Sequence, residues 1–169
     1  MYLLSQLNKY ATTEALKVFF DAHINSHINY ASTVWDGCSD DLFKKVNALH
    51  RRAVKLILPH SSMPTGDKYN HLNILPLKIQ LDYNKIYLIY KTLKGNTPSY
   101  LLSLLDKGTD RYGSNNLILP PSRIDLDQTS LAYSGSSLYN KIPTFMKNIT
   151  SPAMFTSHLR RFLLRNTVG

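Results

Sequence analysis

One cysteine, Cys38, stands in the whole chain of 169 residues. It excludes an internal disulfide framework and any multi-cysteine zinc site, and it fits a reducing compartment. Carboxylates are scarce, 11 Asp+Glu against 20 Lys+Arg, and Glu14 is the only glutamate. Paired-carboxylate catalysis is therefore poorly supplied. No apolar run approaches the roughly 20 residues of a membrane span. The opening Met1-Tyr2-Leu3-Leu4-Ser5-Gln6 lacks a basic segment and a long apolar one, so it does not read as a signal peptide. Neither a Gly-rich phosphate loop nor a Gly-x-Ser-x-Gly elbow is present. What remains is 43% hydrophobic residues with 18% charged, enough apolar material to bury a core and too much for wholesale disorder. These features predict a soluble, basic, intracellular protein, nuclear or cytoplasmic, with no membrane partner.

The formal net charge of +9 favours a polyanion such as RNA, DNA or an anionic membrane surface. Its distribution says more than its sum. Between Asp41 and Asp67 there is no acid, but Lys44, Lys45, Arg51, Arg52 and Lys55 are present. After Asp127 there is again none, while Lys141, Lys147, Arg160, Arg161 and Arg165 follow. Such stretches are either solvated helix faces or a surface for phosphate.

Periodicity predicts a mainly α chain. A first helix starts at Thr12-Thr13-Glu14 and carries Leu16, Phe19, Phe20, His23, Ile24 and His27 at helical spacing to about Tyr30. Residues Ala31 to Trp35 are compatible with its continuation, and Gly37 stops it. A second helix is capped by Ser39, holds Asp40 and Asp41 in its first turn, and ends at Pro59. Its expected inward stripe is Leu42, Val46, Leu49, Ala53 and Ile57, with the basic residues mostly off it. His60 to Lys68 read as a loop, and Tyr69 to Ile74 as a short helical turn. A third helix runs from Leu75-Pro76 to Gly95 with Leu77, Leu81, Ile86, Ile89, Tyr90 and Leu93 inward. A short fourth follows Asn96-Thr97-Pro98. Residues 108–135 are punctuated by glycine and proline and predict a small extended or β-hairpin insert, in which Leu117-Ile118-Leu119 and Ser130-Leu131-Ala132-Tyr133 are short strands or irregular chain. A last helix opens at Ser151-Pro152 and buries Phe155, Leu159, Phe162 and Leu163.

Constellations for catalysis fail on inspection. His23 and His27 have the spacing of a helical zinc site but lack the glutamate base and a third ligand, so they read as polar positions on a buried helix. Cys38 with His50 lacks a cysteine-nucleophile signature and reads as a small buried thiol. Asp40-Asp41 is reminiscent of a two-metal carboxylate pair, yet it opens a basic amphipathic helix, where capping and dipole compensation explain it. Asn148-Ile149-Thr150 is a formal glycosylation triplet with no secretory context.

An ordered series of short segments is more specific. Ala31-Ser32-Thr33-Val34-Trp35-Asp36-Gly37-Cys38 follows His27-Ile28-Asn29-Tyr30. Then come Leu49-His50-Arg51-Arg52-Ala53-Val54-Lys55-Leu56-Ile57 and Leu72-Asn73-Ile74-Leu75-Pro76-Leu77. Ile89-Tyr90-Lys91-Thr92-Leu93-Lys94-Gly95 and Thr97-Pro98-Ser99-Tyr100-Leu101 continue it. Ser134-Gly135-Ser136-Ser137-Leu138-Tyr139-Asn140-Lys141-Ile142-Pro143 and Phe155-Thr156-Ser157-His158-Leu159-Arg160-Arg161-Phe162-Leu163 close it. In order and spacing, over roughly residues 10 to 165, this resembles the carboxyl-terminal part of reverse transcriptases of non-LTR retrotransposons, the LINE elements of the jockey and chicken-repeat type. Ser26 stands where the family usually has proline, and Tyr139 where it usually has tryptophan.

The resemblance implies a thumb-like helical region over 1–60, a helical post-thumb region over 61–107, the insert over 108–135 and a helical segment over 136–169, together one compact unit. It implies that the catalytic palm, with its Tyr/Phe-x-Asp-Asp turn and its magnesium, lies upstream of these segments. No catalytic residue is therefore carried over and no cofactor is expected in this chain, which would not polymerise alone. The expected partner is RNA, DNA or an RNA–DNA hybrid, held through its backbone by Lys44, Lys45, Arg51, Arg52 and Lys55, with Arg160, Arg161 and Arg165 as a second patch. Tyr30 and Trp35 are candidates for stacking on nucleotides or for core packing. The competing expectation is a helical interaction or structural module, docked on a separate catalytic polymerase chain through the apolar segment near Leu117-Ile118-Leu119-Pro120, or a non-functional relic.

Overall fold

The computed structural model describes residues 2–59, 62–107, 116–121 and 129–165. These are mainly helical, as periodicity predicts, with one two-residue β ladder. The chain folds as two compact units, Met1–Gln80 and Leu81–Gly169. Most of the predicted insert, 108–115 and 122–128, lies outside the described residues, as do His60 and Ser61 of the predicted loop.

In the first unit, α1 (Tyr2–Leu7) is followed by α2 (Thr13–Phe20), whose first turn is capped by Thr12 Oγ1 accepting from the Ala15 amide at 3.3 Å. One wide π turn, Asp21–Asn25, joins α2 to α3 (Ser26–Asn29) without leaving helical dihedrals. Such a turn carries an extra residue and rotates the faces beyond it. His23 and His27 consequently lie exposed, which corrects their expected place on a buried helix. The helix does not continue through Ala31. That residue is left-handed, at φ 48°, and α4 (Ser32–Trp35) restarts beyond it. The Trp35 indole Nε1 donates back to the Ile28 carbonyl at 3.1 Å, so the ring's polar edge is engaged across the break.

Helix α5 (Asp40–Ile57) has the predicted bounds, but Ser39 makes no side-chain cap and the buried face is rotated from the predicted stripe. His50, Ala53, Val54 and Ile57 are buried, whereas Leu42 and Leu49 are 53% and 52% exposed. The rotation arises because His50 is drawn inward by a polar partner that apolar counting ignores. Its Nδ1 lies 2.9 Å from the Tyr69 hydroxyl, on α6 (Thr65–Leu72), and Phe20 meets its ring edge-on at 5.4 Å. Helix α6 starts within the predicted loop, and it ends at Asn73, left-handed at φ 52°, where the Ile74 amide bonds back to the Tyr69 carbonyl. The core of this unit gathers Leu4, Leu16, Phe20, Ala53, Val54, Ile57, Tyr69, Leu72 and Ile74. Buried Lys68 reaches the Leu58 carbonyl with its ammonium at 2.7 Å.

The second unit is built on α7 (Leu77–Leu93) from Leu81 onward. Ile86, Ile89 and Tyr90 point into a core completed by Leu105, Leu117, Tyr139, Ile142, Met146, Phe155 and Leu159. Tyr90 stacks on Phe155 at 3.8 Å between centroids and 9° between planes, and its hydroxyl donates toward the Ile149 and Thr150 carbonyls at 3.1 and 2.9 Å. Gly95, at φ 74°, closes α7 as predicted. After α8 (Ser99–Leu102), β1 (Asp106–Lys107) pairs antiparallel with β2 (Leu117–Ile118), Lys107 opposite Leu117. Residues 131–133 are not extended. Leu131–Gly135 is a π turn capped by Ser130 and leads into α9 (Ser136–Asn140), a correction to the predicted strand. Gly135 is there because Ile89 approaches: a Cβ would lie 3.2 Å from Ile89 Cγ1 and 3.1 Å from Leu131 Cδ1. Helices α10 (Thr144–Lys147) and α11 (Pro152–Arg165) complete the unit.

Candidate nucleic-acid interface

Helix α5 brings five cations to one surface. Lys44, Lys45, Arg51, Arg52 and Lys55 are all exposed, while the opposite side of the helix enters the first core. At about 100° per residue, Lys44, Arg51 and Lys55 fall within about 40° of one another, and Lys45 and Arg52 form an adjoining strip. The strip from Lys44 to Lys55 spans about 16 Å of helix axis, long enough to meet several phosphates of one strand. Acidic residues cluster at the helix start, where Asp41 lies 3.9 Å from Lys44 in an exposed pair of little energetic weight. Beyond that pair the surface carries positive charge alone to the end of the helix.

The opposite side of the helix is anchored in the core. His50 is the buried anchor, and burial lowers its pKa to about 4, so it is a neutral imidazole at physiological pH and adds no charge to the surface. Tyr69 is pushed up to about 12 by burial, against the opposing influence of the nearby Arg51 guanidinium. A neutral His50–Tyr69 pair thus anchors α5 without adding charge to its outer face.

The second patch is only partly assembled. On α11, Arg161 and Arg165 are exposed and one turn apart, whereas Arg160 is half-buried and its charge acts on Tyr83. Lys147, in the same acid-free stretch, is buried instead: its ammonium donates to Asn116 Oδ1 at 2.7 Å and to the Asn140 carbonyl at 3.2 Å, and lies 5.5 Å from the centroid of the Tyr139 ring. Burial pulls its pKa below the usual lysine range. Its place in a run of positive charge gave no sign of this, since only the Asn116 carboxamide and the Asn140 main-chain carbonyl distinguish it.

Tyr30 is 82% exposed beside the Ala31 break, while Trp35 is half-buried and hydrogen-bonded. Of the two aromatics, Tyr30 is the one whose ring is open to a base. Cys38 is half-buried, not buried as expected. Among the described residues no group of three or more His, Cys, Asp or Glu is arranged to hold a metal ion, and no helix is long and apolar enough to cross a membrane. In comparisons with known proteins, no family model, no curated protein and no solved structure matches the chain.

Proposed function

We propose that the chain is the thumb and post-thumb part of a non-LTR retrotransposon reverse transcriptase, and that it grips a primer–template duplex or RNA through the sugar–phosphate backbone. The observation that carries this reading is the exposure of all five cations of α5 over a neutral, buried His50 anchor. A polymerase accepts every sequence, so its grip needs phosphate contacts in preference to base-reading side chains. The ordered segments from Ala31 to Leu163 support the family assignment. Catalysis would belong to a palm, and the residues that resemble the family supply binding alone. Arg161 and Arg165 form a second, smaller contact.

The test is a fluorescence-anisotropy titration against an RNA–DNA hybrid, duplex DNA and single-stranded RNA at several salt concentrations. Salt-sensitive binding is expected, strongest for the hybrid. Replacing Arg51, Arg52 and Lys55 by alanine should flatten the logarithmic salt slope by about 0.9 per lost duplex-DNA contact. Unchanged binding by the triple variant overturns the assignment of α5 as the interface.

A further inference from the structure

Helix α5 carries a second pattern, in its leucines; what it implies for nucleic acid rests on the reading proposed above. Leu42, Leu49 and Leu56 recur at seven-residue intervals, and Lys45 and Arg52 follow the first two by three. Seven residues advance a helix to within about 20° of two full turns, so the leucines form one narrow seam, with Lys45 and Arg52 in the alternate positions. This is half of a coiled-coil repeat: the leucine position is apolar and the alternate one carries cations, which a partner would have to match with acids. The seam is displaced by about 100° from His50, the centre of the face that α5 buries. Leu42 and Leu49 are each about half exposed, and Leu56 closes the seam at the edge of the core.

Phosphate gains nothing from two exposed leucines. A membrane surface calls for a broad apolar face, whereas this seam is one residue wide and flanked by lysine and arginine. A second copy of the chain is disfavoured by charge: between Asp41 and Asp67 there is no acid, so only Asp40 and Asp41 of the first turn would face the five cations of a partner α5. We infer that the Leu42–Leu49–Leu56 seam docks an acidic amphipathic helix of another chain, with leucine or isoleucine at heptad spacing and Asp or Glu facing Lys45 and Arg52. Docking covers those two cations and so withdraws them from nucleic acid.

The probe is a labelled synthetic helix of about three heptads, leucine at one seam position and glutamate at the other and at both flanks. A reordered peptide of the same composition serves as the control, and the full chain is titrated with each at physiological salt. The ordered peptide should bind at least about tenfold more tightly than the reordered one, the lower bound for covering the exposed halves of Leu42 and Leu49. Leu42→Ser with Leu49→Ser, both at exposed positions, should remove that margin while circular dichroism stays unchanged. Lys44→Ala with Arg51→Ala and Lys55→Ala should retain it while weakening nucleic-acid binding, which separates failure of this inference from failure of the nucleic-acid reading. Equal binding of the two peptides overturns the inference in favour of charge attraction alone. So does self-association that the leucine substitutions abolish, or leucine-dependent binding to phosphatidylserine vesicles with none to the peptide.

Discussion

The side-chain amide of Asn140 makes both of its hydrogen bonds to the backbone of a single residue, Leu117. Its Oδ1 accepts from the Leu117 amide and its Nδ2 donates to the Leu117 carbonyl, each at 2.8 Å. A strand residue presents both groups to the same side, so Asn140 occupies the place that a third strand would take beside β2. The ladder is only two residues long, and this clasp fastens its otherwise open edge. Asn140→Ala should lower stability by about 2 to 3 kcal/mol, the sum expected for two lost bonds whose backbone partners are partly buried. Asn140→Asp should cost at least as much, since a carboxylate faces the Leu117 carbonyl. Urea unfolding of the three proteins measures both.

His50 predicts a pH dependence. Its pKa falls from 6.5 in the unfolded chain to about 4 in the folded one. The unfolded state therefore binds more protons between these values, and stability drops as the pH falls from above 6.5 towards 4. The full contribution is about 3 kcal/mol, at about 1.4 kcal/mol per tenfold change in proton affinity. His50→Gln keeps a hydrogen-bonding group near Tyr69 and should flatten this slope in melting temperatures recorded from pH 7 to pH 4. A slope unchanged by the substitution would assign the loss to other groups.

Tyr90 holds the second core by two separable means, a ring stacked on Phe155 and a hydroxyl aimed at the carbonyls of residues 149 and 150. Tyr90→Phe retains the first and should cost about 1 to 2 kcal/mol through the carbonyls left unsatisfied. Phe155→Ala should cost about 3 to 5 kcal/mol, because it opens a cavity against a fully buried ring. A double-mutant cycle of Tyr90→Ala with Phe155→Ala in urea should show coupling, as expected for stacked rings.

The arginines of α11 should differ although two of them are neighbours in sequence. Arg161→Ala and Arg165→Ala should each reduce the salt slope of nucleic-acid binding with stability unchanged. Arg160→Ala, half-buried and close enough to influence Tyr83, should instead lower the melting temperature with a smaller effect on the slope. Equal slopes for all three would refute the division of this patch.

Ala31 sits at φ 48°, where a Cβ crowds the following carbonyl at a cost of about 1 to 2 kcal/mol. Ala31→Gly should therefore raise the unfolding free energy by up to about 1 kcal/mol after the added freedom of the unfolded glycine is deducted, read as a higher urea midpoint at unchanged m.

Helical periodicity located most of this fold because the cores are apolar and regularly spaced. The bounds of α5, the inward Leu77, Ile86, Ile89 and Tyr90, and the Ser151-Pro152 start of α11 all follow from apolar spacing and from the aspartates and prolines at the helix ends. What periodicity missed is polar. His50 belongs to the buried face through a hydroxyl 19 residues away, and counting leucines alone therefore aimed Leu42 and Leu49 inward. Two π turns, at 21–25 and 131–135, carry no compositional mark that distinguishes them from loop or helix. The cations of α5 were legible from charge and spacing, whereas the distinction between Arg160 and Arg161 needed the position of Tyr83.

Lys68 and Lys147 bear on how the protein meets acid. Each places its ammonium on neutral oxygens, the Leu58 carbonyl in one case and the Asn116 carboxamide with the Asn140 carbonyl in the other. A lysine held by a carboxylate loses its partner once that carboxylate takes up a proton, but a carbonyl stays an acceptor throughout the acid range. These two internal tethers are thus proton-blind on the acid side. What acid takes from the first unit must then come from its carboxylates and from the buried His50 imidazole, not from these lysine contacts.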